Sequence, residues 1–128
     1  MSLFKRGQRI SFSRDMWAHP LFPWTAVISL TLMVLTVGLI FWKLAPIGRE
    51  LDVIPLHYNV YFGVDLLGRW YRVFLLPAMG LVLFAANALF ARALWEKEHV
   101  LSFFFAVGTI VISTVIFLAV LLITLLNL

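Results

Sequence analysis

Hydrophobic and polar positions alternate in long blocks rather than at the short periods of a soluble domain. Three stretches carry almost no charge: Trp24 to Trp42, Val73 to Leu94 and Val100 to Leu128. The first is nineteen residues long, which at 1.5 Å per residue makes a helix of about 29 Å, the thickness of the hydrocarbon layer of a membrane. A tryptophan stands at each of its ends, as in the aromatic belts found at membrane surfaces. The third stretch would form a helix of about 43 Å, long enough to require tilt or a protruding end. These blocks predict an all-α membrane protein with three transmembrane helices, an N-terminal basic interfacial segment and an ordered, partly extended loop between the first two helices. The expected layout is a tail over 1–20, spans over 21–44, 73–95 and 100–128, a loop over 45–72 and a turn over 96–99.

Composition strengthens this reading. Of 128 residues, 63% are hydrophobic and 12% charged, against roughly half and a quarter in a soluble domain, and the mean hydropathy is +1.03. Cysteine is absent, which excludes disulfides, thiolate zinc sites and a cysteine nucleophile. A signal peptide also runs from basic to apolar, but Lys43, Leu44, Ala45 and Pro46 offer no small-residue cleavage site, so the first span is expected to stay uncleaved.

The net charge of +4 comes largely from Lys5, Arg6, Arg9 and Arg14, just before the first span. Cations in that position attract anionic lipid headgroups, so membrane lipid is the expected partner of the tail and nucleic acid is not. Phe12, Met16 and Trp17 would share the apolar face of a short interfacial helix there. With the N-terminus cytoplasmic, six basic residues (the tail, Arg92 and Lys97) lie inside against four outside (Lys43, Arg49, Arg69 and Arg72), which favours a cytoplasmic N-terminus and an extracytoplasmic C-terminus.

Small and polar residues mark the packing faces. Gly80, Asn87 and Ala91 fall on one side of the second span, and Ser102, Ala106, Thr109 and Ser113 recur every three or four residues on the third. Such stripes let helices approach closely and hydrogen-bond across the interface. The short turn between these spans predicts an antiparallel helical pair.

Candidate chemistry is confined to the first loop, whose length exceeds that of an ordinary connection. From Ile54 to Phe62 apolar and polar positions alternate, as in a strand with Ile54, Leu56, Tyr58, Val60 and Phe62 on one side. A single strand cannot satisfy its own backbone groups, so it is expected either to lie at the headgroup level with water or to pair with a strand from another copy or another protein. The Asn59 amide and the Asp65 carboxylate are expected to hydrogen-bond loop backbone, with Asp65 capping a turn before the second span. His57 and Asp65 could also share a metal with Glu50 or Asp52, but they lack the spacing of a metal motif, and no metal site or cofactor is assigned.

The run Pro55-x-His57-Tyr58-Asn59, followed by Gly63, Asp65, Gly68 and Arg69-Trp70, resembles the loop of the DUF1648 family, which includes SdpI-like toxin-immunity membrane proteins. The likeness covers roughly residues 24 to 95. The His57 to Asp65 spacing agrees with the family pattern, whereas Gly63 comes one residue later. The resemblance implies a multi-span protein of the bacterial cytoplasmic membrane and transfers Pro55, His57, Asn59, Gly63 and Asp65 as motif positions, with Tyr58 as the aromatic residue of the motif.

Three classes of function follow. An enzyme would need acids, bases or metal ligands, and the spans hold no Asp, Glu or His. A channel or transporter would leave ionisable groups along a pathway, and only Arg92, near a helix end, comes close. A non-catalytic binding, signalling or assembly subunit, working through the loop and helix faces as a homo-oligomer or within a larger membrane-protein complex, is the expectation.

Overall fold

A computed structural model describes residues 16–128, and within them the chain forms three long helices and one small sheet. Helix α1 spans Leu21–Leu39 and passes through a widened turn, Ile40–Leu44, into α2, Ala45–Glu50. Strands β1, Ile54–Asn59, and β2, Gly63–Gly68, follow. A tight 3₁₀ turn, Trp70–Phe74, leads into α3, Leu75–Leu94, and α4 occupies His99–Leu126. All three long helical stretches, Leu21–Glu50, Trp70–Leu94 and His99–Leu126, are long and apolar enough to cross a membrane.

The first helical stretch therefore runs six residues beyond position 44, straight through Pro46. Proline removes a backbone donor and its ring crowds the carbonyl four residues back. The chain absorbs this by widening the preceding turn: the Ala45 N–H bonds the Ile40 carbonyl, five residues back rather than four. At the other end, His19 Nδ1 accepts the Leu21 N–H at 3.4 Å, supplying a partner where the helix begins. Met16 is buried and Trp17 half exposed, and both line a crevice with Phe22 and Thr25. Phe12 and the four basic tail residues Lys5, Arg6, Arg9 and Arg14 lie outside the described residues.

Helix α4 is central. It packs against both α1 and α3, which touch each other much less. Its buried residues, Ser102, Ala106, Thr109, Ser113, Ile116, Val120 and Thr124, recur every three or four positions and make one continuous seam. Residues Phe22, Thr25, Ser29, Met33 and Thr36 form the corresponding buried line of α1. Small side chains on both lines let the helices run close together.

Larger apolar groups close the two ends of the bundle. Met16, Phe22, Ala91, Trp95 and Ala106 form one cluster, edged by Phe103 and Phe105. Phe22 and Trp95 meet edge-on, 5.2 Å apart at 89°, while Phe22 and Phe103 stack 5.6 Å apart at 26°. Ile40, Leu44, Ile54, Val73 and Val120 form the second cluster, at the end that carries the sheet.

The sheet revises the all-α expectation. β1 and β2 pair antiparallel within one chain, with Asn59 opposite Gly63 and Ile54 opposite Gly68. Backbone groups that called for a strand from another molecule are thus satisfied locally. Val60, Tyr61 and Phe62 make the connection, and Gly63 closes it with φ at 75°, the left-handed region that glycine enters without a steric cost.

Candidate functional site

The motif residues come together on this hairpin. In β1 the register is irregular on both sides of His57, leaving Leu56 as an extra residue on one strand and Asp65 on the other. The simple alternation expected between Ile54 and Phe62 therefore does not hold. Ile54 is fully buried and Leu56 is half-buried, but Tyr58, Val60 and Phe62 are exposed.

The displaced register brings His57 Nδ1 to 2.6 Å from an Asp65 carboxylate oxygen. Asp65 is thereby a partner for His57 rather than the cap of a turn before α3. This is the one contact between an acidic and a basic side chain within salt-bridge distance among the described residues, and the side chains remain 63% and 37% exposed. At that exposure the pair adds little to folding stability, since solvent screens it. Its evident structural effect is to orient an imidazole on a short, bulged strand.

Asn59 plays a different part. Its side-chain oxygen accepts the Tyr61 N–H at 2.9 Å, a local turn that bends the chain at the strand end. Pro55 lies at the base of the hairpin, where its carbonyl accepts a 2.8 Å hydrogen bond from Asn127 Nδ2. The same amide nitrogen reaches the Ile123 carbonyl at 2.8 Å, so Asn127 ties the hairpin to the last turn of α4. Asn127 was not among the residues singled out from sequence, because a lone asparagine near a terminus carries no periodic signal.

Two glycines set how closely the hairpin is held. A β-carbon on Gly68 would lie 2.5 Å from Leu56 Cδ1, so the bare glycine leaves room for the extra residue of β1. Gly48, in α2, backs directly onto the root of Trp70, with room for no side chain. Nearby, Arg69 donates to the Tyr71 hydroxyl at 3.3 Å. That hydroxyl, and after it the Asp52 carboxylate, raise the pKa of Arg69 above its ordinary value.

Beneath the hairpin lies a groove of about 690 Å³. Leu56, His57, Tyr58 and Leu66 form its hairpin side, and Leu76 with residues between Ala119 and Leu126 form its helical side. Its volume is in the range of small-molecule sites, and its lining is apolar apart from His57 and the Tyr58 hydroxyl. Beyond it the tip projects, with Val60 84%, Tyr61 90% and Phe62 83% exposed.

The helix-packing residues assemble elsewhere, in the bundle. Ser102 Oγ donates to the Ala91 carbonyl at 2.6 Å, and Asn87 Nδ2 donates to Thr109 Oγ1 at 3.2 Å, both joining α3 to α4. Gly80 is buried against Met33 and Ile116. Ala106 lies in the core cluster, while the Ser113 hydroxyl returns to the Thr109 carbonyl of its own helix. Asn87, Ala91, Ala106 and Thr109 also meet Thr25 of α1 around a crevice of about 70 Å³. The matching polar line on α1, Thr25, Ser29 and Thr36, had its signal in the four- and seven-residue spacings of the first uncharged run.

Among the described residues, no three His, Asp or Glu side chains are grouped as metal ligands. No family model matches the chain, and neither does any curated protein or solved structure.

Proposed function

We propose that this chain crosses the bacterial cytoplasmic membrane three times, with its N-terminus in the cytoplasm, and serves as a non-catalytic binding or assembly subunit. Its hairpin is the docking element for a membrane partner. The observation that carries this reading is the tip: Val60, Tyr61 and Phe62 project almost fully exposed from a hairpin anchored by Asn127 and Ile54. Large aromatic and aliphatic side chains held on a rigid support are what a protein interface uses as anchors.

Purification from native membranes in mild detergent, followed by identification of associated chains, tests the proposal. A stoichiometric partner, or a second copy, should be retained by the natural chain and lost when Val60, Tyr61 and Phe62 are all replaced by serine. Retention of the same partner by that variant would reject the hairpin as the docking element.

One observation favours a second reading, SdpI-like immunity to a secreted peptide toxin. The two titratable residues shared with that family's loop, His57 and Asp65, are in direct contact. Toxin protection should then be lost on Asp65→Asn while the protein still accumulates in the membrane. Unchanged protection in both His57→Ala and Asp65→Asn would remove this alternative.

A further inference from the structure

We infer that the groove beneath the hairpin is a binding site for an anionic phospholipid of the surrounding bilayer, one acyl chain lying in the groove and the phosphate meeting Arg72. The inference rests on the membrane-spanning reading proposed above and goes beyond it by naming a ligand and the residues that select it.

The groove floor continues the apolar surface of α3 and α4. Leu122 and Leu125, on its helical side, are themselves exposed, and in a membrane-spanning helix such residues face hydrocarbon. The hairpin closes over that surface from the side, through Leu56 and Leu66. A channel of this kind, apolar along its length and open to lipid at one edge, suits a hydrocarbon chain better than water.

Arg72 supplies the selectivity. Its Cδ lies 3.5 Å from the point where a β-carbon on Gly68 would sit, and Leu56 Cδ1, which lines the groove, lies 2.5 Å from the same point. Leu76, also in the lining, follows Arg72 by four residues, across the junction of the 3₁₀ turn and α3. The Arg72 stem therefore packs beside Leu56, at the hairpin edge of the groove. It is exposed and makes no ion pair among the described residues. An arginine there can reach a headgroup while its methylene stem rests on apolar neighbours, and its fork of donors matches phosphate oxygens.

The test uses the purified full chain in detergent, with native mass spectrometry counting retained lipid. Phosphatidylglycerol and phosphatidylcholine carrying the same acyl chains are offered at equal concentration. Phosphatidylglycerol should be preferred, and Arg72→Gln should reduce its retention about fivefold, the effect of one cation near an anionic lipid surface. Arg49→Gln, which alters an exposed cation on α2 away from the groove, should leave retention unchanged. Ala119→Phe, which fills the groove, should lower retention of both lipids, with circular dichroism confirming native helicity. Inorganic phosphate should not displace the lipid. Equal retention of both lipids, retention unaffected by Arg72→Gln, or displacement by phosphate would each overturn the lipid site while leaving the membrane reading intact. A chain that remains dispersed in buffer without detergent would overturn both.

Discussion

Adding a single methyl group at Gly48 should push apart α2 and the start of the α3 segment. A β-carbon built there would lie 2.6 Å from Trp70 Cδ1 and closer still to Trp70 Cγ and Cβ. A χ1 change can swing Cγ and the ring aside, but Cβ is fixed by the backbone and stays in contact, so the backbone on one side must yield. Trp70 also packs on the cluster of Ile40, Leu44, Ile54, Val73 and Val120, which would loosen with it. Overpacking of this sort costs about 1–3 kcal/mol, and a root-on contact belongs at the upper end. Alanine recovers about 1 kcal/mol through its better helix propensity. The net loss is about 1–2 kcal/mol, which is roughly five- to thirtyfold in the unfolding equilibrium.

Gly38 is the internal control, because a β-carbon there meets nothing within 4 Å. Gly38→Ala should therefore stabilise by up to about 1 kcal/mol, with the opposite sign to Gly48→Ala. Both variants can be unfolded reversibly in mixed micelles by raising the fraction of dodecyl sulfate, with tryptophan fluorescence as the readout. Finding Gly48→Ala as stable as the parent, or displaced in the same direction as Gly38→Ala, would refute the close approach of α2 to Trp70.

Two buried serines should respond differently to the same substitution. Ser102→Ala removes an interhelical hydrogen bond and should cost about 0.6 kcal/mol, up to about 1.7, in the same unfolding assay. Ser29 is fully buried and its hydroxyl has no partner among the described residues, so Ser29→Ala should be neutral or stabilising by about 1 kcal/mol. Asn127→Ala should free the base of the hairpin, and hydrogen exchange would show faster amides over 54–59 with α3 and α4 unchanged. Gly63→Ala places a side chain at φ 75° and should cost about 1–2 kcal/mol of hairpin stability, read as faster exchange across 54–68.

The long helices and their packing faces were legible because their cause is local and repetitive. Uncharged runs long enough to span hydrocarbon stand out in a chain that is otherwise punctuated by charge. Gly80 was read from the helical face it shares with Asn87 and Ala91, and Ser102 and Thr109 from three- and four-residue spacing, and the structure buries all three. The corresponding line on α1 used the same code and could have been read in the same way.

The hairpin depended on relations between distant residues. Ile54 to Phe62 looked like a strand by itself, yet its partner, Gly63 to Gly68, lacks alternation and begins and ends with glycine. What pairs them is a turn whose bend comes from Asn59 and the positive φ of Gly63, and bulges that no periodic pattern encodes. Those bulges decide that Asp65 meets His57 instead of capping a turn before the second span. The sequence by itself determined which segments are helices, through the length of their uncharged runs. On the second and third spans it also determined which faces they bury, through the spacing of small and polar residues, since each such choice is made within one element. Tertiary structure alone decided the intramolecular pairing, the placement of Asn127 under Pro55 and the groove between hairpin and helices, because each needs side chains brought together from separate parts of the chain.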